Sequence, residues 1–160
     1  MLVYAWIQSI LMKKSMLKSW QSKFFVFLDT SLVFLVIIAG MFETVDQTAA
    51  QLKSSILYSI FFFAMIYSSF LLSPRFNLFM TCYVSLCLTL LLITAYFQGV
   101  EFTNKAGTLN TSGILQTSNE IIKIFFAIAL GITMYYVNCL MVAMRDAIQL
   151  ELDVSESEKL

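Results

Sequence analysis

The sequence contains no histidine. That absence excludes imidazole general bases, histidine-ligated haem and every histidine-containing zinc or copper site. Charge is scarce too: 12% of the 160 residues are Asp, Glu, Lys or Arg, against roughly 25% in average soluble proteins. One proline and five glycines leave no room for a collagen-like chain or a flexible linker. What is abundant is apolar, with 59% of residues hydrophobic. Disorder requires the opposite balance of hydrophobicity and charge. A soluble fold of this length cannot cover so much apolar surface. The composition therefore implies an integral membrane protein of a single domain spanning 1–160.

Four apolar runs reach the length of about 20 residues needed to cross ~30 Å of hydrocarbon. They cover residues 24–42, 56–73, 78–97 and 124–144. The first holds one charge, Asp29, and the other three hold none. None alternates apolar with polar residues, as the strands of a membrane barrel do. Backbone polar groups in lipid must satisfy one another, so the runs predict helices. The expected fold class is all-α: an integral membrane four-helix bundle with a short N-terminal interfacial helix and an acidic, helical or disordered C-terminal tail. Residues 43–55 read as a short polar loop. Ser73-Pro74 predicts a tight turn over 74–77, which makes the second and third helices antiparallel neighbours. Residues 98–123 hold three of the five glycines together with many Thr, Asn and Ser, a loop composition.

Lysine and arginine set the orientation. Lys13, Lys14, Lys18, Lys23, Arg75, Arg145 and Lys159 fall on one side of such a bundle; Lys53, Lys105 and Lys123 fall on the other. The excess predicts both termini in the cytoplasm. Asn110-Thr111-Ser112 forms an N-glycosylation sequon in the loop assigned to the opposite, outer side, so Asn110 is the expected glycan acceptor in a secretory membrane. A plasma-membrane or endomembrane location is expected, with the mitochondrial inner membrane as the alternative. Residues 1–23 carry no acid. At helical spacing Met12, Met16, Leu17 and Trp20 share an arc, with Lys14 and Lys18 opposite and Lys13 out of pattern. This reads as an interfacial helix in which Lys13, Lys14, Lys18 and Trp20 meet the lipid boundary. Packing of the same segment on the bundle ends is the alternative. Residues 145–160 are acidic, and Met144, Ile148 and Leu152 continue a helical stripe beyond the last span.

Asp29 is the one ionisable residue well inside a span, the kind of position that marks function by default. It lies about 9 Å from Lys23 along a helix rising ~1.5 Å per residue. Asn138, seven residues before Arg145, has a matching depth, so an intramembrane contact between Asp29 and Asn138 is expected, with Thr30, Ser31 and Arg145 in reserve. A lone carboxylate without a second acid forms no proton relay, which favours helix-to-helix adhesion over an ion site. Thr81, Ser85 and Thr89 at i, i+4, i+8, and Ala127 with Gly131, provide small-residue faces for close helix packing. Cys82, Cys87 and Cys139 all fall within spans and read as small packing residues; no outer-loop disulfide is expected. The chain thereby differs from tetraspanins, claudins and connexins, which rely on extracellular cysteines.

No phosphate-binding loop, nucleophile elbow or HExxH motif is present. No enzymatic activity, cofactor or metal is expected, and zero net charge gives no footprint for nucleic acid. Three functions fit what remains. The first is a non-catalytic tetraspan accessory or structural subunit that stabilises or localises a larger membrane complex, with lipids and other integral membrane subunits as partners. The second is a pore-forming or transporting protomer, active as an oligomer, with Asp29 and the Thr81–Ser85–Thr89 stripe facing the pore. The third is a cofactor of a lipid-handling membrane enzyme. The scarcity of chemistry favours the first.

Overall fold

The computed structural model of the protein describes residues 19–105 and 113–157. Lys13, Lys14 and Lys18 of the interfacial segment and the sequon residue Asn110 lie outside the described residues. The described chain is mostly helical, with five helices and one pair of three-residue strands. The elements are α1 (Ser19–Met41), α2 (Val45–Lys53), α3 (Ser55–Ser69), α4 (Pro74–Phe97), β1 (Glu101–Thr103), β2 (Ile114–Gln116) and α5 (Thr117–Ser157). Among the described residues three helices are long and apolar enough to cross a membrane, within Trp20–Met41, Pro74–Phe97 and Thr117–Val154. A fourth crossing is reached when Val45–Lys53 and Tyr58–Ser69, bent by 46° at their junction, are counted as one broken segment.

The region expected to be a polar loop is largely helical. Thr44 caps α2: its Oγ1 accepts from the Gln47 amide at 3.2 Å. Asp46 sits in the first turn and Lys53 in the last, each matched to the helix dipole. Thr48, Ala49 and Leu52 form its buried face. At Ser54 the backbone turns extended (φ −66, ψ 114), and α3 starts on a new axis. The second apolar run is correspondingly shorter as a helix than expected. α3 stops at Ser69, and its fifteen residues span about 22 Å at 1.5 Å per residue, short of the ~30 Å core. Ser68 and Ser69 donate their hydroxyls back to Met65 O and Ile66 O, each at 2.6 Å. The backbone then tightens into i to i+3 bonds through Leu72, which adopts a positive φ of 49°. Pro74 starts α4 instead of standing in a separate turn, because its missing N–H is no loss in a first helical turn. α4 therefore starts four residues earlier than expected.

The loop between the last two long helices also has more order than its composition implied. α4 closes with Gly99 N donating to Tyr96 O and Val100 N donating to Ala95 O, both at 3.1 Å. This is the paired C-terminal arrangement that needs a left-handed residue, and Gly99 supplies it at φ +83. Val100, turned inward, leads into β1, which pairs in parallel with β2 in the register Glu101 to Ile114 and Thr103 to Gln116. Leu115 is fully buried and joins this end of the helices to the core.

The contacts fix the chain direction. Phe27 meets Tyr83 at 4.8 Å and Phe79 at 5.8 Å between ring centroids, while Met41 and Gln98 line one pocket; α1 and α4 thus run parallel. Gly131 of α5 faces Thr81 of α4, and Phe62 of α3 meets Phe126 of α5 at 5.3 Å. α1 packs on α2, α3 and α4, whereas α5 packs on α3 and α4. One end of the molecule gathers α2, the strands and the start of α5; the other holds the 70–73 turn. The core between them includes Phe61, Met65, Val84, Leu88, Leu91 and Ala127.

Candidate functional site

Polar groups inside the helices fall into three sets and one groove. At the strand end, Glu120 in the first turn of α5 is buried. Its Oε2 accepts from Tyr58 Oη at 2.5 Å, and its Oε1 pairs with Lys123 Nζ at 2.7 Å. Lys123 also donates to Leu52 O at 2.9 Å and lies 3.8 Å from the centroid of the Tyr58 ring. One buried carboxylate, one ammonium, one phenol and the last turn of α2 thus tie α2, α3 and α5 together. The sequence reading places Lys123 only in the outer charge tally. Its i, i+3 spacing from Glu120 at a helix start was the available signal for an intrahelical pair; the Tyr58 and Leu52 contacts depend on α2 being a helix. Beside this set, the Thr48 hydroxyl lies 2.7 Å from Met41 O and 2.6 Å from Gln98 Oε1, bridging α1, α2 and the end of α4.

Between α1 and α4, Ser31 Oγ donates to Phe27 O at 2.7 Å and lies 2.8 Å from Tyr83 Oη. The serine proton being used on the backbone, Tyr83 is the donor of that second bond. At the 70–73 turn, Asn77 is fully buried and its Oδ1 lies 3.2 Å from Ser68 Oγ.

The contact expected between Asp29 and Asn138 is not a hydrogen bond in the structure. Asn138 is fully buried, and neither its Nδ2 nor its Oδ1 has a partner. The contacts do not keep the two residues level: Ser31 of α1 lies against Tyr83 of α4, whereas Gly131, seven residues before Asn138 on the antiparallel α5, lies against Thr81. Asn138 shares the buried face of α5 with Ala127 and Gly131, the face turned to α4. Asp29 instead lines a groove of about 550 Å³ between α1 and α3. Val26, Asp29, Thr30 and Val33 form one wall, and Ile60, Ala64, Tyr67 and Phe70 lie along the other. The Thr30 hydroxyl donates to Val26 O at 2.8 Å, so it is turned back into its own helix.

The chain has no significant match among protein-family models, curated proteins or solved structures. Its own contacts carry the reading of its role.

The small-residue faces divide. Thr81, Ala127 and Gly131 are buried, and a Cβ built on Gly131 would overlap the Thr81 side chain. Ser85 lies at the edge of the interface and Thr89 is exposed, its hydroxyl donating back to Ser85 O at 2.8 Å. Steps of four residues advance about 40° around a helix, so the i, i+4, i+8 stripe winds out of the contact. The face that α4 buries follows alternating threes and fours instead: Asn77, Thr81, Val84, Leu88, Leu91 and Ala95. Trp20 stands in the first turn of α1, 61% exposed, with its ring 6.4 Å from that of Phe24. Cys87 is buried, Cys139 half-buried and Cys82 exposed, and all three are free thiols. Among the described residues no three His, Cys, Asp or Glu side chains cluster as a metal site would need.

Proposed function

We propose that the chain is a non-catalytic, four-span accessory subunit of a larger membrane complex, with both termini in the cytoplasm, that stabilises or localises its partner. The broken α2–α3 segment serves as the second crossing. The excess of Lys and Arg read from the sequence, seven against three, gives the orientation, which puts the strands and the Glu120–Lys123–Tyr58 set outside.

One observation carries the subunit reading. Every residue from 143 to 154 is exposed, although α5 remains helical to Ser157. Counted from Arg145, the stretch 146–157 prolongs α5 by about 18 Å beyond the last apolar run. Ile148, Leu150 and Leu152 on it are 56%, 67% and 60% exposed. Apolar side chains within the bundle's outer face rest against lipid; these stand among Asp146, Glu151 and Asp153, past the hydrocarbon. Met144, Ile148 and Leu152 stand at i, i+4, i+8 and form one exposed aliphatic stripe, and a contiguous apolar patch in water marks a protein contact. The Glu120–Lys123–Tyr58 and Ser31–Tyr83 contacts inside the bundle support the same reading, since they join one helix to the next.

Native purification in mild detergent tests this proposal. A stoichiometric partner chain is the expected result. A pure homo-oligomer that conducts ions in a planar bilayer would establish the pore-forming alternative instead.

A further inference from the structure

The prolongation of α5 has two unlike faces. At about 100° per residue, Leu150, Ala147, Glu151, Met144, Ile148 and Leu152 follow one another round an arc of about 200°. Arg145, Gln149, Asp153 and Asp146 fill the rest of the turn. Glu151 is the one charge on the first arc and stands at its middle. Its neighbours on the membrane side, Ala147 at i−4 and Ile148 at i−3, are both apolar. All of these residues are exposed. Asp146 is paired with Arg145, whereas Glu151 and Asp153 form no ion pair among the described residues. Glu151 lies about 9 Å past Arg145 along the helix.

That carboxylate narrows what can cover the arc. Any helix laid on the aliphatic side chains also takes Glu151 out of water, which is costly unless the charge meets a cation. Two copies of the chain in one membrane run parallel, so their arcs would set Glu151 against Glu151, a like-charge contact. The anionic lipids of a cytoplasmic leaflet repel the same acid. A charge within an otherwise apolar helix face selects a partner with the opposite charge and fixes the register of the two. We propose that the aliphatic arc of the α5 prolongation docks a helix of the partner protein whose own apolar face carries one Lys or Arg, placed to meet Glu151. This assignment rests on the subunit reading and gives it a contact and a partner chemistry.

The test places the full chain in phosphatidylcholine nanodiscs and titrates it with synthetic amphipathic helical peptides, read by fluorescence anisotropy. The apolar face of each peptide is leucine; at its middle one peptide carries Lys, the second Leu and the third Glu. The Lys peptide is expected to bind about tenfold more tightly than the Leu peptide, the lower end of what one close charge pair contributes. The preference should vanish in Glu151→Gln, persist in Glu151→Asp and in Asp153→Asn, and pass to the Glu peptide in Glu151→Lys. A chain ended after Asp146 should bind no more peptide than empty nanodiscs do. Equal binding of the Lys and Leu peptides overturns the proposal. So does a preference that Asp153→Asn weakens as much as Glu151→Gln, which would be diffuse attraction to an acidic helix. A photoreactive group at Ile148 that captures lipid, a second copy of the chain or residues 1–18 in place of the Lys peptide overturns it as well. These outcomes separate from the subunit reading: a native partner that stays bound to Glu151→Lys refutes this contact alone, whereas a Lys-peptide preference in a chain with no native partner refutes the subunit role alone.

Discussion

Gly131 and Thr81 mark the closest approach of α4 and α5. Thr81 Oγ1 donates to Asn77 O at 2.9 Å, which holds the side chain in place, so a methyl group at residue 131 cannot displace it freely. Gly131→Ala is expected to destabilise the bundle by about 1–3 kcal/mol through overpacking, against the usual gain of about 1 kcal/mol for this exchange in an open helix. Thermal unfolding in detergent measures it. Adding Thr81→Ala should recover part of the loss; a rise in melting temperature on Gly131→Ala alone would show that the helices are not in contact here. A second residue, Lys123, is held by charge. Removing it as Lys123→Met leaves Glu120 buried without its cation, a loss of about 3 kcal/mol when a pair of this kind is broken from one side. Glu120→Gln in the same chain should return most of that stability, because the uncompensated charge is then gone. Equal and additive losses for the two single substitutions would mean that the groups do not act as a pair.

At the scale of elements, Gly99 presents the opposite case to Gly131. Nothing lies within 4 Å of a Cβ added there, yet its φ of +83 is one that other residues adopt at a cost of roughly 1–2 kcal/mol. Gly99→Ala should therefore destabilise the end of α4 by about 1 kcal/mol, and Gly99→Asn by less, since Asn tolerates the left-handed region. Equal effects would argue against the cap. The three long helices were legible in the sequence because lipid leaves a continuous apolar run one solution. α2 was not, although Thr44 and Gln47 stand at the spacing of an N-terminal cap and Thr48, Ala49 and Leu52 make a short apolar face. Nine residues with two charges look like a loop when only hydropathy is scanned. The level and the direction at which Asp29 and Asn138 face their neighbours depend on which helices pack together. Composition carries nothing about that, and α1 and α5 pack on different faces of the shared α3–α4 pair. The parallel strands were hidden for a related reason. Their pairing joins residues on both sides of the 104–113 segment, and each strand is too short to show a period.

At the scale of the whole molecule, the charge distribution and the helix directions bear on one another. With α1 and α4 running one way and α3 and α5 the other, the proposed four-span topology has Trp20 and Val154 on one side of the membrane and Glu101 on the other. Single cysteines at these positions, in a chain whose Cys82, Cys87 and Cys139 are replaced by Ala, should react with a membrane-impermeant maleimide accordingly: Trp20→Cys and Val154→Cys from the cytoplasmic face, Glu101→Cys from the outer face. Labelling of Trp20→Cys and Val154→Cys from opposite faces would mean that α3 does not cross and that three spans carry the fold.

The prolongation of α5 gives the most direct separation of what the molecule needs for itself from what it offers to others. Because residues 143–154 are all exposed, they add no burial to the bundle. Ending the chain after Asp146 is therefore expected to change its stability in detergent by no more than about 0.5 kcal/mol, the range of surface substitutions. The internal contacts of Glu120, Lys123 and Tyr58 lie at the far end and are untouched. The same truncation removes Ile148, Leu150 and Leu152, so recovery of the partner in a stoichiometric complex should fall. Replacing those three residues by Ser in the full-length chain should reproduce the fall without shortening the helix. A truncated chain that unfolds would assign the prolongation to the bundle itself. One that keeps both its fold and its partner would leave the transmembrane faces as the sites of assembly.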